Sequence, residues 1–372
     1  MIVEDLRQQV LAREDVRRLF EPPDGEPAAL ARVEEYLEEL RATQRRSIYR
    51  ALQHPLYPIL RKVERIPEHI ERAHAAVQSG RVVYVSNHKS HVDYLIELLI
   101  LEDFDIRPPI IAAGINLFGG ALGLLHKHVT GAIPIRRGTR DAAYLVTLKA
   151  YVAELLQGHD LFFYPEGGRS YSGALKSAKT GLFNAVVTAE VPTLHILPLA
   201  IAYDLVLEDK ILAPQVTKSR QRPFTRELAE MVGTAVGYQS RAFVTFGEPI
   251  TLAGGEARSR RDVIDLAQQS LAAIGRLHKV LPTALVARAM RPSIPYDDLV
   301  GGVDALIGRL VASGANMETT SARKATHEGL ALLEERGVLQ REIDLVRVRD
   351  RFTLRYYARQ LQHLLDTPRP IP

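Results

Sequence analysis

A chain of 372 residues, 46% hydrophobic and 25% charged, has the material for one large or two medium soluble domains. It holds no cysteine, which excludes disulfides, thiolate metal sites and a cysteine nucleophile. The net charge of +4 is concentrated: nine Lys/Arg face four carboxylates between Arg107 and Thr180, an excess that favours an anionic ligand and, with no aromatic–basic recognition motif beside it, argues against nucleic acid.

Met1 to Arg13 alternates apolar and charged residues without an apolar core, so it does not read as a secretory signal, and the protein is expected on the cytosolic side. Glu4 to about Leu40 reads helical, broken at Pro22-Pro23-Asp24-Gly25, and Ala28 to Ser47 is periodic with an exposed charged face. Pro67 to Gln78 predicts one more helix before Gly80. The rhythm then changes to short strands alternating with helices, the pattern of an α/β layer fold. Strands are expected at Val82–Val85, Pro109–Ala112, Ala132–Ile135, Leu161–Tyr164, Ile196–Ala202 and Phe243–Phe246. Helices are expected at Val92–Leu101, Tyr144–Leu156, Gly181–Glu190 and Arg261–Val280, and the tail from Pro295 to Leu365 reads mostly helical. Ile110 to Leu125 is apolar and Gly-rich; its 16 residues fall short of the roughly 20 a spanning helix needs. It fits either a buried helix-loop or a surface that dips into the bilayer interface or lines an acyl-chain channel.

Chemistry concentrates in four places. His88-Lys-Ser-His-Val-Asp93 follows the first of these strands. In one continuous helix, positions five apart lie about 140° apart around the axis, so imidazole and carboxylate would diverge. A meeting requires His88 in the turn and Asp93 in the first turn of the next helix, near the positive end of its dipole. Such a pair is a general base with its orienting partner, although the spacing alone also fits an N-cap region. Arg136 and Arg137 end a strand, where their planar forks suit phosphate or are simply solvated. Tyr164-Pro-Glu166-Gly167-Gly168-Arg169-Ser170 makes a tight loop whose backbone N–H groups can approach an anionic oxygen. Glu166 either accepts from a polyol or organises that loop; Arg169 adds a second phosphate fork, and Lys176 and Lys179 follow. His195-Ile-Leu-Pro198-Leu199 reads as a buried strand that shapes a pocket wall. His91, His126 and His128 lack the second carboxylate or histidine cluster that a metal needs, so no metal is expected.

The order of these blocks resembles the four motif blocks of the glycerolipid acyltransferases, which include the acyltransferases of glycerol 3-phosphate, dihydroxyacetone phosphate and lysophosphatidate. The chain is most similar to the membrane-associated glycerol-3-phosphate type, in His88 to Asp93, Ala113 to Leu117, Arg136-Arg137 and Gly167-Gly168, with fainter echoes at Tyr356-Tyr357 and His363. It is shorter than the best-known bacterial members, and Tyr171 stands where a basic residue is common. The resemblance implies a mixed central sheet flanked by helices, and the pattern along the chain divides it into an expected helical region at 1–79, catalytic domain at 80–255 and helical region at 256–372. It implies His88 as base and Asp93 as its partner. Arg136, Arg137, Arg169 and Lys179 would hold the acceptor phosphate, and Glu166, Gly167, Gly168 and Ser170 would position the glycerol or the oxyanion. The implied partners are glycerol 3-phosphate, acyl-CoA or acyl carrier protein as co-substrate, and a peripheral attachment to the cytoplasmic face of a membrane; no cofactor is implied. Dihydroxyacetone phosphate or lysophosphatidate is the alternative acceptor, and a catalytically silent lipid- or phosphate-binding protein the alternative of another class.

Overall fold

The computed structural model describes residues 6–21, 26–41, 63–115, 131–214, 239–253 and 258–366. Its centre is an eight-stranded sheet of β1 (Val63–Glu68), β2 (Arg81–Ser86), β3 (Ile110–Gly114), β4 (Ala132–Ile135), β5 (Leu161–Phe163), β6 (Thr193–Tyr203), β7 (Ser240–Phe246) and β8 (Ile250–Ala253). The order is β1-β7-β6-β2-β5-β3-β4, with β8 also paired to β6. Strands β2 to β6 run parallel, whereas β7 and β8 lie antiparallel to β6. This is the α/β layering that the alternating pattern implies and the mixed central sheet that the family resemblance implies.

β2 is buried on both faces, so its side chains divide by strand alternation. Val82 and Tyr84 pack with Ile96, Leu99 and Ile100 of the helix Asp93–Asp103, in a core that continues to Leu285, Leu299 and Leu330 of the C-terminal region. Val83 and Val85 face Tyr144 and Leu148 of the helix Ala142–Gly158, with Leu37 and Ile274 from helices Ala29–Leu40 and Arg260–Leu277. Where β2 ends, the Asn87 side chain continues the pairing: its Nδ2 donates to Ile201 O at 2.9 Å and its Oδ1 accepts from Ile201 N–H at 2.8 Å. The chain is thus held to β6 up to the residue before His88.

Several elements differ from the sequence pattern. β1 occupies residues read as the start of a helix, which begins only at Glu71. Pro67 lies within β1, beside Val244 of β7, and β1 stands at the end of the strand order, where proline is tolerated. The tail is mostly helical, as expected, but β9 (Ser293–Pro295), β10 (Leu339–Glu342) and β11 (Leu345–Val348), which the sequence does not reveal, form an antiparallel sheet in the order β10-β11-β9. Strands of three or four residues are too short to establish a period of two, and Leu339-Gln-Arg-Glu342 carries little apolar signal. Of Ile110 to Leu125, the first five residues form β3 and residues 116–125 lie outside the described ones, as do His126 and His128. Among the described residues, no helix is long and apolar enough to cross a membrane.

The C-terminal helices pack closely enough for one glycine to be required. A Cβ at Gly329 would fall 2.4 Å from the Pro282 carbonyl oxygen, whereas one at Gly308 meets nothing within 4 Å. Gly329→Ala should therefore destabilise the protein by about 1–3 kcal/mol, and Gly308→Ala should stabilise it by about 0.5–1 kcal/mol. Urea unfolding midpoints check the pair; shifts of the same sign would contradict this packing.

Candidate active site

The ends of the parallel strands converge on His88. Asp93 opens the helix Asp93–Asp103 and has no exposed surface. Its Oδ2 accepts from Lys89 N–H at 2.6 Å and Ser90 N–H at 2.9 Å, and its Oδ1 from the Tyr203 hydroxyl at 2.7 Å. The His88 Nδ1 stands 2.9 Å from the same Oδ2. The turn between them is what lets the two side chains meet, as the five-residue spacing requires. Since Asp93 is an acceptor to its other neighbours, His88 carries its proton on Nδ1 and leaves a lone pair on Nε2. The imidazole stacks on the Tyr164 ring, with centroids 4.0 Å apart and planes at 7°.

Opposed effects set the charge states here. Burial pushes Asp93 up to about 6, against the hydrogen bonds from Ser90, Tyr203 and Lys89 and the charge of Lys89. Glu97, one turn further on, is raised well above the carboxylate range by burial and by Asp93. These outweigh the hydroxyls of Ser86 at 2.5 Å and Tyr164 at 2.7 Å, which donate to its carboxylate and favour the ionised form, so Glu97 is held toward the neutral acid. His88 is driven well below the ordinary histidine value of 6.5 by burial, then by the cations Arg169, Lys176 and Arg137. Its side chain retains 14% exposure, so it is a neutral base with an open edge.

The glycine loop clamps the backbone of His88. Glu166 accepts from His88 N–H at 2.9 Å and from Lys176 N–H at 2.8 Å. Ser170 closes the loop from its far side, its N–H on the His88 carbonyl at 2.8 Å and its hydroxyl on Ala174 O at 2.6 Å. Both Glu166 oxygens are thus engaged by backbone, and of the two roles open to this residue the structure displays the organising one. Gly167 and Gly168 take φ of +69° and +158°, which a side chain rarely adopts. Lys176 Nζ donates to the Gly168 and Arg169 carbonyls, the latter at 3.0 Å.

The arginine pair separates. Arg137 Nη1 donates to Gly167 O at 2.6 Å, and its guanidinium covers Gly114 at the end of β3, where a Cβ would fall 2.5 Å from Nη2. Arg136 turns the other way: its Nε lies 2.9 and 3.2 Å from the Glu39 carboxylate oxygens, and the guanidinium lies over Tyr36 and Tyr144. It ties β4 to the N-terminal helix and does not join the cluster. Arg169 is buried, 3.5 Å from Glu208 Oε1 and 5.5 Å from the Tyr171 ring. Lys179 is exposed beside Gly167. His195 is occupied by Ser79 and Thr251 at 2.9 and 3.0 Å.

Sequence reading passes over Lys89, Glu97, Tyr203 and Glu208. Lys89 is buried and donates to Gly173 O at 2.7 Å; Glu208 accepts from the Ser90 hydroxyl at 2.7 Å and His91 N–H at 2.6 Å. Glu97 leaves a signal, as the one carboxylate between Tyr94 and Leu101. Glu208 leaves none, because it lies 118 positions from Ser90.

Residues 61–202 match the family model described as Acyltransferase. The glycerol-3-phosphate acyltransferase of Actinobacillus succinogenes is 33% identical over 192 residues, covering 50% of this chain and 24% of that protein. The glycerol-3-phosphate acyltransferase of a Haemophilus influenzae strain is 33% identical over 183 residues, 48% of this chain and 22% of its own length. That of a Shewanella species is 30% identical over 261 residues, 67% of this chain and 31% of its own length. The chain therefore spans less than a third of these relatives.

The depressed basicity of His88 is directly measurable. Its imidazole resonances should titrate well below 6.5, and Lys176→Met, which removes a nearby positive charge, should move the midpoint upward. An NMR titration of histidine-labelled protein, assigned through His88→Gln, checks this; a midpoint at or above the ordinary 6.5 would contradict the electrostatic account.

Proposed function

We propose that this member of the glycerolipid acyltransferase superfamily, whose family domain spans residues 61–202, transfers a fatty acyl group from an acyl thioester to the sn-1 hydroxyl of glycerol 3-phosphate. The product would be lysophosphatidate, the first step of glycerophospholipid synthesis. The observation that carries the reading is the buried His88–Asp93 hydrogen bond beside a cluster of cations. The names of the glycerol-3-phosphate acyltransferases it resembles support the acceptor.

His88 Nε2 takes the proton of the acceptor hydroxyl as that oxygen attacks the thioester carbonyl. Asp93 holds the tautomer and stabilises the imidazolium, as in a serine triad in which the substrate hydroxyl replaces the serine. The tetrahedral intermediate then expels the thiolate, which recovers the proton from His88. Arg137, Arg169 and Lys179 are assigned to the acceptor phosphate, with Lys176 bracing the loop that presents them. The sequence groups Arg136 with them; its engagement with Glu39 supports leaving it out of this assignment. Holding a small polyol phosphate against the base matters, since orientation supplies up to about 7–11 kcal/mol of such a barrier. The donor is acyl-CoA or acyl carrier protein, no cofactor takes part, and the protein works peripherally on the cytoplasmic face of a membrane.

Thiol release from palmitoyl-CoA, with glycerol 3-phosphate, dihydroxyacetone phosphate or lysophosphatidate as acceptor, tests the reading. The chain has no cysteine and adds no background. Release should depend on glycerol 3-phosphate and fall by about 100- to 10,000-fold in His88→Ala. Release with another acceptor alone would overturn the substrate, and undiminished release in a folded His88→Ala would overturn the mechanism. In the same assay Arg137→Ala should raise the acceptor KM by about tenfold, the loss of one charge-assisted contact of about 1.5 kcal/mol, and Arg136→Ala should leave that KM near wild type. The reverse ranking would return the phosphate to Arg136.

A further inference from the structure

Residues 204–208, which lead from β6 into the short helix Asp209–Leu212, are held from the C-terminal part of the chain. The Tyr357 hydroxyl accepts from Val206 N–H at 3.0 Å and donates to Asp209 Oδ2 at 2.6 Å. Arg336 grips both Asp209 oxygens through Nε, at 3.0 and 3.1 Å, and its Nη2 reaches Leu207 O at 2.9 Å. Asp209 has no exposed surface and the Arg336 side chain retains 11%. Glu208 stands between the tethered Leu207 and Asp209, and its carboxylate faces the other way, onto the Ser90 hydroxyl, His91 N–H and Arg169. Ser90 and His91 are the middle of the turn that has His88 at one end and Asp93 at the other. A second contact comes from the same direction: a Cβ at Gly173, whose carbonyl holds Lys89, would fall 1.9 Å from Tyr356 O.

We propose that Tyr357 and Arg336 are positioning residues for the His88–Asp93 pair, acting through Glu208 from a C-terminal module that lies beyond residues 61–202. The inference rests on the reading of His88 as the base. A bidentate guanidinium and a phenol fix a carboxylate in angle as well as distance, which apolar packing does not. Asp209 is thereby locked, the neighbouring Glu208 inherits that placement, and the catalytic turn inherits it from Glu208. Misplacement of reacting groups by about 1 Å can cost about 100-fold in rate, so a tether several residues away has leverage on turnover.

The test uses the full chain with Tyr357→Phe and Glu208→Gln, singly and together, and Arg336→Lys as a second route to the same link. Tyr357→Phe and Arg336→Lys should each lower kcat by about tenfold, with the acyl-donor KM unchanged. In the Glu208→Gln background, Tyr357→Phe should cost less than about twofold more, because both act on one link. Hydrogen–deuterium exchange should rise in peptides covering residues 87–93 and stay at wild-type rates in β2 and β5. Additive losses, unchanged exchange at 87–93, or an equal rise throughout the central sheet would each overturn the proposal. A wild-type protein that transfers no acyl group to any acceptor would instead defeat the catalytic reading, and the exchange at 87–93 would still decide whether the tether exists.

Discussion

Asp93 has no exposed surface, and an ionised carboxylate in that position persists only if its lone pairs are filled. Two backbone N–H groups, one phenol and the His88 imidazole fill them. Each donor carries a geometric demand. The backbone donors require the chain to turn at Lys89 and Ser90; the phenol requires β6 to extend to Tyr203; the imidazole requires His88 to leave β2 at one angle. Asn87, Glu166 and Ser170 fix that angle from three sides. Much of the sheet edge can be understood as the support that one buried charge needs.

The surrounding charges are arranged so that the histidine remains a base. Arg137, Arg169 and Lys176 disfavour its protonation, and Glu97 is held toward the neutral acid, which limits the negative charge beside Asp93. Burial lowers Lys89 and raises Glu166, and the attraction between the two across the turn opposes both shifts. The same cations that lower the basicity of His88 would attract an anionic acceptor, so under the proposed function binding and activation would draw on one set of side chains. A bound phosphate would partly neutralise them and restore basicity to His88 when the hydroxyl is in place.

The alternating rhythm from Val82 onward, and the five-residue spacing of His88 and Asp93, make the central sheet and the turn legible. Both depend on local pattern. Arg136 and Arg137 show the limit: they are adjacent and chemically identical, and what separates them is Glu39, 97 positions away. Glu208 and Arg336 are invisible for the same reason, and Tyr357 shows only as a faint family echo, since their roles exist only once distant segments meet. β1 is hidden by a proline that an edge strand tolerates, and β9 to β11 by their brevity. Glu97 is the missed opportunity, because a lone carboxylate in an apolar helix is seldom left without a partner.

A crystal structure with glycerol 3-phosphate bound would test the central claim most directly. The account predicts the acceptor's primary hydroxyl within about 2.6–3.2 Å of His88 Nε2, with the phosphate on Arg137 and Arg169. A phosphate held elsewhere, or a primary hydroxyl turned away from His88 in an ordered complex, would contradict it.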